Sequence, residues 1–232
     1  MNASLDPTIK HKIDGMVRHL CSEFARQFDR EQIESIMNDS VERVLETATV
    51  FDFVPLMAYR FTRERLDAIT RAQGEDTQGT WDVVFVSLSD SGRGQIAAAL
   101  TSLLSDGRVS VHSAGTAVQG QIDPDVRAVI AELGVDPEEQ FARPVTDEVL
   151  RAADVIVTMG HSVGVVEVPQ DVRREDWRVG DPIGAPIAEV RRVRADIEHR
   201  VRALLSELGV PTSEHQHGDG VPQERDSPVS QR

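Results

Sequence analysis

The first third of the chain repeats apolar residues at steps of three and four, the spacing that predicts amphipathic helices. Each such helix has one apolar stripe that must be buried against another element. We therefore predict a three-helix bundle over residues 1–72. The apolar positions are Ile9, Ile13, Met16, Val17, Leu20, Phe24 and Phe28 in the first helix, Ile33, Ile36, Met37, Val41, Val44 and Leu45 in the second, and Leu56, Met57, Phe61, Leu66 and Ile69 in the third, over Val54–Ala72.

The pattern changes at residues 73–80, where glycine and polar residues interrupt the helical spacing and predict a linker. Beyond it, β-branched apolar runs alternate with helical stretches as far as residue 211. This alternation predicts an α/β domain over residues 81–211, with a parallel sheet and helices on both of its faces. The predicted strands include WDVVFVS, RVSVHS and DVIVTMG, and the predicted helices cover 95–104, 125–133, 147–152 and 186–208.

The last segment, residues 212–232, is almost free of apolar side chains and contains several Gly and Pro residues. Such a composition predicts disorder, because there is too little apolar surface to bury. His215 and His217 lie in this tail, and two histidines in a disordered segment are weak grounds for a metal site. We expect no metal and no cofactor.

Composition narrows the range of functions. The formal net charge is −14, and nucleic-acid binding without sequence preference depends on Lys and Arg at the phosphates, so we expect no nucleic-acid partner. Neither a signal-peptide core nor an apolar window of about 18 residues occurs, which predicts a cytoplasmic protein with no membrane segment. The single cysteine, Cys21, cannot form an intramolecular disulfide, and its place in the first helix predicts a small buried side chain.

One stretch carries candidate chemistry: VVFVSLSDSGRGQIAAAL, residues 83–100. A predicted strand ends at Ser87, and a predicted helix begins soon after Arg93. A tight loop between them directs backbone N–H groups inward, and the helix dipole adds positive potential. Arg93 supplies a planar guanidinium that matches two oxygens of phosphate or arsenate, and Ser91 supplies a hydroxyl. The stretch predicts an oxyanion-binding loop, and an ordinary strand-to-helix turn is the alternative.

Four segments, in the same order and spacing, resemble the low-molecular-weight protein tyrosine phosphatase and arsenate reductase family. The family's loop has the form Cys-x5-Arg, commonly FVCTGNSARS, and this chain has FVSLSDSGRG there. HSAGT at 112–116 is similar to the family's SAGT, DVIVTMG to its later strand, and DWRVGDP to its W-x3-DP element. The resemblance covers residues 82–211.

This resemblance implies a four-stranded parallel sheet in the order 2-1-3-4. It places Ser87 at the position of the nucleophilic cysteine, Arg93 at the position of the arginine that holds the oxyanion, and Asp181 at the position of the general acid. The implied ligand is a phosphate- or arsenate-type oxyanion. The residues implied to bind it are Leu88, Ser89, Asp90, Ser91, Gly92 and Arg93.

The replacement of cysteine by Ser87 changes the expected chemistry. The dipoles of such a loop can lower the pKa of a thiol until it is a thiolate at neutral pH, but a serine hydroxyl is far less acidic. Arsenate reduction needs sulfur itself as the electron source. Asp90 adds a carboxylate where the family has asparagine, which predicts weaker anion binding. Because several loop residues differ together, we interpret the chain as a naturally divergent, catalytically inactive member that retains an oxyanion-binding loop.

An active enzyme is the alternative interpretation. Ser87 would then be the nucleophile, and a histidine would be its general base. His161 follows the VTMG strand and would lie at the same C-terminal edge of the sheet as Ser87, where α/β folds place their sites. His112 ends the neighbouring predicted strand. A surface position is the simpler explanation of both histidines.

The predicted bundle at residues 1–72 resembles the N-terminal extension of actinobacterial arsenate-reductase-like members of the family. It shows no basic recognition helix. We expect it to act as a packing module, or to join two copies of the chain or a partner protein. The sequence does not decide between these roles.

Overall fold

The computed structural model describes residues 6–48, 51–74, 80–118, 121–136, 140–160, 166 and 168–213. Most of the predicted linker (75–79), His161 and the tail from residue 214 lie outside the described residues. None of the described helices is long and apolar enough to cross a membrane. The elements in chain order are helices α1 (Pro7–Glu23), α2 (Arg30–Thr47) and α3 (Val54–Ala72), strand β1 (Trp81–Ser87), helix α4 (Arg93–Ser105), strand β2 (Val109–Gly115), helices α5 (Pro124–Ala131) and α6 (Asp147–Ala152), strands β3 (Val155–Met159) and β4 (Arg173–Trp177), and helix α7 (Ile187–Glu207).

Helices α1, α2 and α3 pack around one apolar core, as the spacing predicts. Asp29 caps α2, because its carboxylate accepts a hydrogen bond from the amide of Gln32 while the Gln32 side chain accepts one from the amide of Asp29. The first helix ends at Glu23, earlier than the apolar pattern indicates. Phe24 and Phe28 are nevertheless buried, and their rings make an edge-to-face contact at 6.1 Å. The connection between α1 and α2 therefore contributes to the same core.

The sheet has four parallel strands in the order β2-β1-β3-β4, which confirms the predicted architecture. Strand β4 has exposed and intermediate residues except for Trp177, so it has no apolar pattern to reveal it. Such a polar strand is suited to the edge of a sheet, where the backbone N–H and C=O groups on one side of the strand have no neighbouring strand. Trp177 is buried, and its ring packs against that of Phe85 in β1.

The two faces of the sheet have separate apolar cores. Helices α4, α5 and α7 cover the face of Val83 and Phe85, and α6 covers the face of Val84 and Val86. Ala68 of α3 also packs in this second core, so the third bundle helix completes the cover of the sheet. The bundle and the α/β region therefore share buried surface.

Candidate oxyanion-binding site

The loop from Ser87 to Arg93 lies where β1 ends and α4 begins, at the carboxyl edge of the sheet. The segment after β2 holds its first half, since the amides of Thr116 and Ala117 donate to the carbonyls of Ser87 (3.1 Å) and Leu88 (2.7 Å). Gly115 permits this close approach, because a Cβ there would lie 2.9 Å from the carbonyl carbon of Ser89. The side chain of Leu88 itself is exposed.

The loop leaves polar groups available to a ligand. Among the described residues, the amides of Ser89, Ser91 and Gly92 donate no hydrogen bond, and no side chain caps the N-terminus of α4. Free amides at the start of a helix favour a bound anion, both by direct donation and through the helix dipole. The hydroxyls of Ser89 and Ser91 are hydrogen-bonded to each other at 2.7 Å. The backbone is therefore the main source of donors in this loop.

The guanidinium of Arg93 lies against the end of β3. Gly160 follows that strand with φ of +94°, and a Cβ at this position would lie 2.7 Å from Cζ of Arg93. A side chain at residue 160 would thus displace the guanidinium, so Gly160 sets where Arg93 can lie. The Nη2 atom of Arg93 is 3.4 Å from Oδ2 of Asp181. The structure therefore brings together the two charged residues that the sequence places in the site.

The segment that carries Asp181 covers the loop. A Cβ at Gly92 would lie 2.9 Å from Cγ of Pro182 and 3.2 Å from Cγ1 of Ile183, so only glycine allows this contact. Asp123 joins the two segments, because its amide donates to the carbonyl of Ser91 (3.1 Å) and its carboxylate accepts from the amide of Gly184 (3.1 Å). Neither Asp123 nor Gly160 is predicted from the sequence, since each acts through backbone contacts that no motif here announces.

Comparison with known proteins decides the family. Residues 82–213 match the family described as low molecular weight phosphotyrosine protein phosphatase, and residues 14–70 match a protein-tyrosine-phosphatase-like N-terminal domain. The chain belongs to the low molecular weight phosphatase family. It is 33% identical over 130 residues to a putative arsenate reductase of Halobacterium salinarum, covering 53% of this chain and 90% of that protein.

Two solved structures show the same arrangement. The thioredoxin-dependent arsenate reductase of Corynebacterium glutamicum is 28% identical, with a TM-score of 0.76 over 86% of this chain and 97% of that one. An arsenate reductase in the phosphate binding state is also 28% identical, with a TM-score of 0.50 over 55% of this chain and 98% of that one. The first likeness extends beyond the α/β region, so the resemblance of the bundle to an N-terminal extension is confirmed.

Within this low molecular weight phosphatase fold, Ser87 has a buried hydroxyl. Its Oγ accepts a hydrogen bond from the amide of Asp90 at 3.2 Å. Among the described residues, no histidine or carboxylate accepts a hydrogen bond from this hydroxyl. The Ser87 hydroxyl therefore has a hydrogen-bond donor, the amide of Asp90, but no general base among the described residues.

The side chain of Asp90 is fully buried and turned toward other elements, a placement that the sequence does not indicate. That its carboxylate weakens anion binding stays a prediction. Its Oδ2 accepts hydrogen bonds from Nε2 of Gln95 (2.8 Å), Oγ of Ser113 (3.3 Å) and the amide of Arg143 (2.9 Å). Burial raises the pKa of Asp90 to about 7, against the charge of Arg143 and these hydrogen bonds. The residue therefore supports the loop from within the protein, with its backbone in the left-handed region at φ of 52°.

His112 is directed away from Ser87. It lies on β2, with Nε2 3.4 Å from Oδ2 of Asp82 and 3.3 Å from Oγ of Ser110. Burial alone would lower the pKa of His112, but the adjacent Asp82 and the charge of Glu64 raise it. These contacts explain His112 as part of a buried charged group, while His161 lies outside the described residues.

The described residues offer no evident metal site. No group of three or more His, Cys, Asp or Glu side chains in the described ranges lies close enough together to hold a metal ion. Cys21 lies on α1 and packs against the bundle core. The chemistry available at the loop is therefore that of backbone amides, hydroxyls and the Arg93–Asp181 pair.

Proposed function

We propose that this protein binds a tetrahedral oxyanion of the phosphate or arsenate class at the loop from Ser87 to Arg93, without the thiol chemistry of its family. One observation carries the proposal. The loop combines amides that donate to no described residue, the start of α4 and the guanidinium of Arg93, while the residue at its first position is a serine. It has the means of holding an anion and lacks the sulfur that would react with it.

The case for binding rests on electrostatics and on shape. Arg93 can donate two parallel hydrogen bonds to an oxyanion. The amides of Ser89, Ser91 and Gly92 donate to no described residue, and amides at the start of a helix favour an anion. Oδ2 of Asp90 accepts three hydrogen bonds from residues outside the loop, so this oxygen is directed at groups other than a bound anion. A solved relative described as being in the phosphate binding state supports the choice of ligand class.

The case against catalysis rests on Ser87 and Cys21. A serine becomes an effective nucleophile when a base removes its proton, and among the described residues no histidine or carboxylate accepts a hydrogen bond from the Ser87 hydroxyl. Reduction of arsenate takes two electrons, which the family's mechanism draws from sulfur. Cys21 is the single thiol of the chain, and it belongs to the bundle. No described contact favours the alternative of a Ser–His pair.

In this proposal Asp181 has no leaving group to protonate. Its remaining effect is electrostatic, because it lies 3.4 Å from Arg93 and competes with an anion for the guanidinium. The side chain is 57% exposed, so it can turn away when an anion arrives. We propose that the chain acts as an oxyanion-responsive binding module in the cytoplasm.

Calorimetric titration with phosphate, arsenate and sulfate tests the binding. We expect saturable binding by the wild type and a loss of affinity of about 10- to 100-fold in Arg93→Ala, because hydrogen bonds to a charged group contribute about 1.5–3 kcal/mol. Arg192→Ala is the matched control, since Arg192 is an exposed arginine on α7. A wild type that binds none of the three anions would refute the proposal.

Turnover assays test the missing chemistry. We expect no arsenate reduction with any thiol partner, and hydrolysis of p-nitrophenyl phosphate at background level. In Ser87→Cys the loop would regain a thiol of lowered pKa, so measurable hydrolysis should appear and should vanish when Arg93→Ala is added. Wild-type turnover that disappears in Ser87→Ala would show instead that Ser87 is a working nucleophile.

A further inference from the structure

We propose that the N-terminal bundle positions the oxyanion-binding loop, acting through residues 141–143, which we call the connecting segment. Its side chains contact the bundle, and its backbone groups contact the supports of the loop. The inference rests on the proposed function only for the identity of the ligand, a phosphate- or arsenate-type oxyanion. The positioning itself can be tested without any ligand.

On the bundle side, two contacts fix the connecting segment. The ring of Phe141 is buried in the core formed by α1, α2 and α3, although Phe141 lies far beyond those helices in the chain. Nε of Arg143 forms an ion pair with Oε2 of Glu64 on α3 at 2.8 Å. The guanidinium of Arg143 also lies over the ring of Phe141, with Cζ 3.9 Å from the ring centroid. Moving α3 would therefore move both side chains.

On the loop side, the same residues supply backbone partners. The amide of Arg143 donates to Oδ2 of Asp90 at 2.9 Å, and the carbonyl of Phe141 accepts from Nε2 of Gln95 at 3.0 Å. Gln95 in turn donates to Oδ2 of Asp90 at 2.8 Å. The carbonyl of Arg143 accepts from the amide of Gly115, the residue packed beneath Ser89. The connecting segment thus contacts the loop's supports at several points.

These contacts matter because the conformation and the burial of Asp90 are both unfavourable without partners. A non-glycine residue with a left-handed backbone is unfavourable unless its surroundings fix it, and a buried carboxylate needs every donor it has. If the connecting segment shifts, the amide of Arg143 is withdrawn and Gln95 loses its carbonyl partner. The loop can then adopt other conformations, in which its amides and Arg93 no longer have the arrangement that we propose for anion binding.

A second ion pair crosses the same interface without reaching the loop. Nη2 of Arg65 on α3 pairs with Oε1 of Glu148 on α6 at 2.8 Å. Its length equals that of the Arg143–Glu64 pair, and the side chains of Glu64 and Glu148 are both 26% exposed. No described contact of Glu148 involves Asp90, Gln95 or the loop. The Arg65–Glu148 pair is also hydrogen-bonded through Nε and Nη2 of Arg65, so its loss should disturb the interface at least as much. Glu148→Gln is therefore a stringent control that separates positioning of the loop from docking of the bundle.

The experiment is hydrogen–deuterium exchange of the full chain without added anion, followed by phosphate titration. We expect Glu64→Gln to speed exchange of the hydrogen-bonded amides that hold the loop, those of Asp90, Thr116 and Ala117, by about tenfold, because local opening sets their protection. The same variant should weaken phosphate binding. Glu148→Gln should leave the exchange of these three amides unchanged. Phe141→Leu, which keeps an apolar side chain but removes the ring beneath Arg143, should act in the same direction as Glu64→Gln.

The outcomes are distinct. Unchanged exchange of the Asp90, Thr116 and Ala117 amides in both Glu64→Gln and Phe141→Leu would overturn the inference, and so would an equal increase in Glu148→Gln. If exchange responds as expected while the wild type binds no phosphate, arsenate or sulfate, the proposed function fails and the positioning by the bundle stands. Faster exchange throughout the chain in every variant would indicate general destabilisation and would also count against a specific connection.

Discussion

The two faces of the loop from Ser87 to Arg93 are built differently. Its front face, toward Arg93 and Asp181, has amides without described partners and one ionic contact at 3.4 Å between side chains. Its rear face, toward Ser113 and the connecting segment, buries Asp90 completely with three donors on one carboxylate oxygen. The rear face holds the conformation of the loop through buried hydrogen bonds, and the front face is the one at which we propose that an anion binds. Shape and reactivity are therefore encoded by different residues.

This difference explains how the loop can change its first residue and keep its form. Among the described contacts, the side chain of Ser87 contributes to the rear face by accepting the amide of Asp90. A hydroxyl can accept that hydrogen bond, so losing sulfur at this position costs the conformation little. The reaction depends on the atom at position 87, whereas the binding conformation depends on residues distributed over β2, α4 and the connecting segment.

The largest expected effect is on the rear face. Burial raises the pKa of Asp90 from its ordinary value near 3.8 to about 7. Between these two pH values Asp90 is therefore protonated in the folded state and ionised in the unfolded state. Stability must then fall as pH rises through this window, by up to about 1.4 kcal/mol per pH unit. In Asp90→Asn this contribution is absent. We expect the unfolding free energy of the variant, relative to wild type, to rise by about 2–3 kcal/mol from pH 5 to pH 8.

Urea denaturation at several pH values measures this difference. Other titrating groups, including His112, contribute equally to both proteins and cancel in the comparison. A difference between Asp90→Asn and wild type that stays constant from pH 5 to pH 8 would show that Asp90 titrates normally. The rear face would then be less tightly enclosed than the structure indicates.

A smaller effect is expected at Gly160, which sets the position of the Arg93 guanidinium. In Gly160→Ala the new methyl group would overlap the guanidinium of Arg93 and displace it. We expect phosphate affinity to fall about tenfold, equivalent to about 1.4 kcal/mol, because one charge-assisted donor pair is misplaced. Gly107→Ala is the control, since Gly107 also has a positive φ (+73°) but open space around its Cβ position.

Isothermal titration with phosphate and thermal melting separate displacement of Arg93 from backbone strain at the substituted glycine. Both variants should lose some stability through backbone strain, and only Gly160→Ala should lose affinity. Equal affinities for phosphate in the two variants would mean that the position of Arg93 does not limit binding.

The smallest effect is expected at the front face. Replacing Asp181 by Asn removes the charge that competes for Arg93, so phosphate affinity should increase about two- to fivefold, as expected for an exposed ion pair worth under about 1 kcal/mol. Asp196→Asn removes an exposed carboxylate on α7 and controls for net charge. A loss of phosphate affinity in Asp181→Asn would indicate that Asp181 helps to hold the ligand.

Much of the fold follows from the sequence because its causes are local. Apolar spacing identifies the bundle helices, with α3 found at Val54–Ala72 as predicted. The motifs in register yield the sheet order, which is confirmed. Strand β4 has too few apolar residues to show a pattern, and its pairing with β3 is decided by tertiary contact. The predicted end of the first helix fails for a related reason, since Phe24 and Phe28 are buried without being helical.

The site is predicted less completely than the fold. The motifs name Ser87, Arg93 and Asp181, and the structure brings Arg93 and Asp181 together. They do not show that Asp90 faces the interior, because the direction of its side chain depends on Gln95, Ser113 and Arg143 from three separate segments. The partnership of Glu64 and Arg143 joins residues on either side of the linker, and such a contact has no signature in a single sequence.

Serine at position 87 also alters how the loop would respond to oxidants. A thiol of lowered pKa is the group that peroxide converts first to sulfenic acid and then to irreversible acids, and electrophiles alkylate it readily. The segment from Ser87 to Arg93 contains no sulfur, so these reagents have no target there. Cys21, in the bundle, is the only thiol that they can reach. If the loop binds an oxyanion as proposed, we expect peroxide to leave that affinity unchanged, whereas peroxide would inactivate a loop that depends on a thiolate.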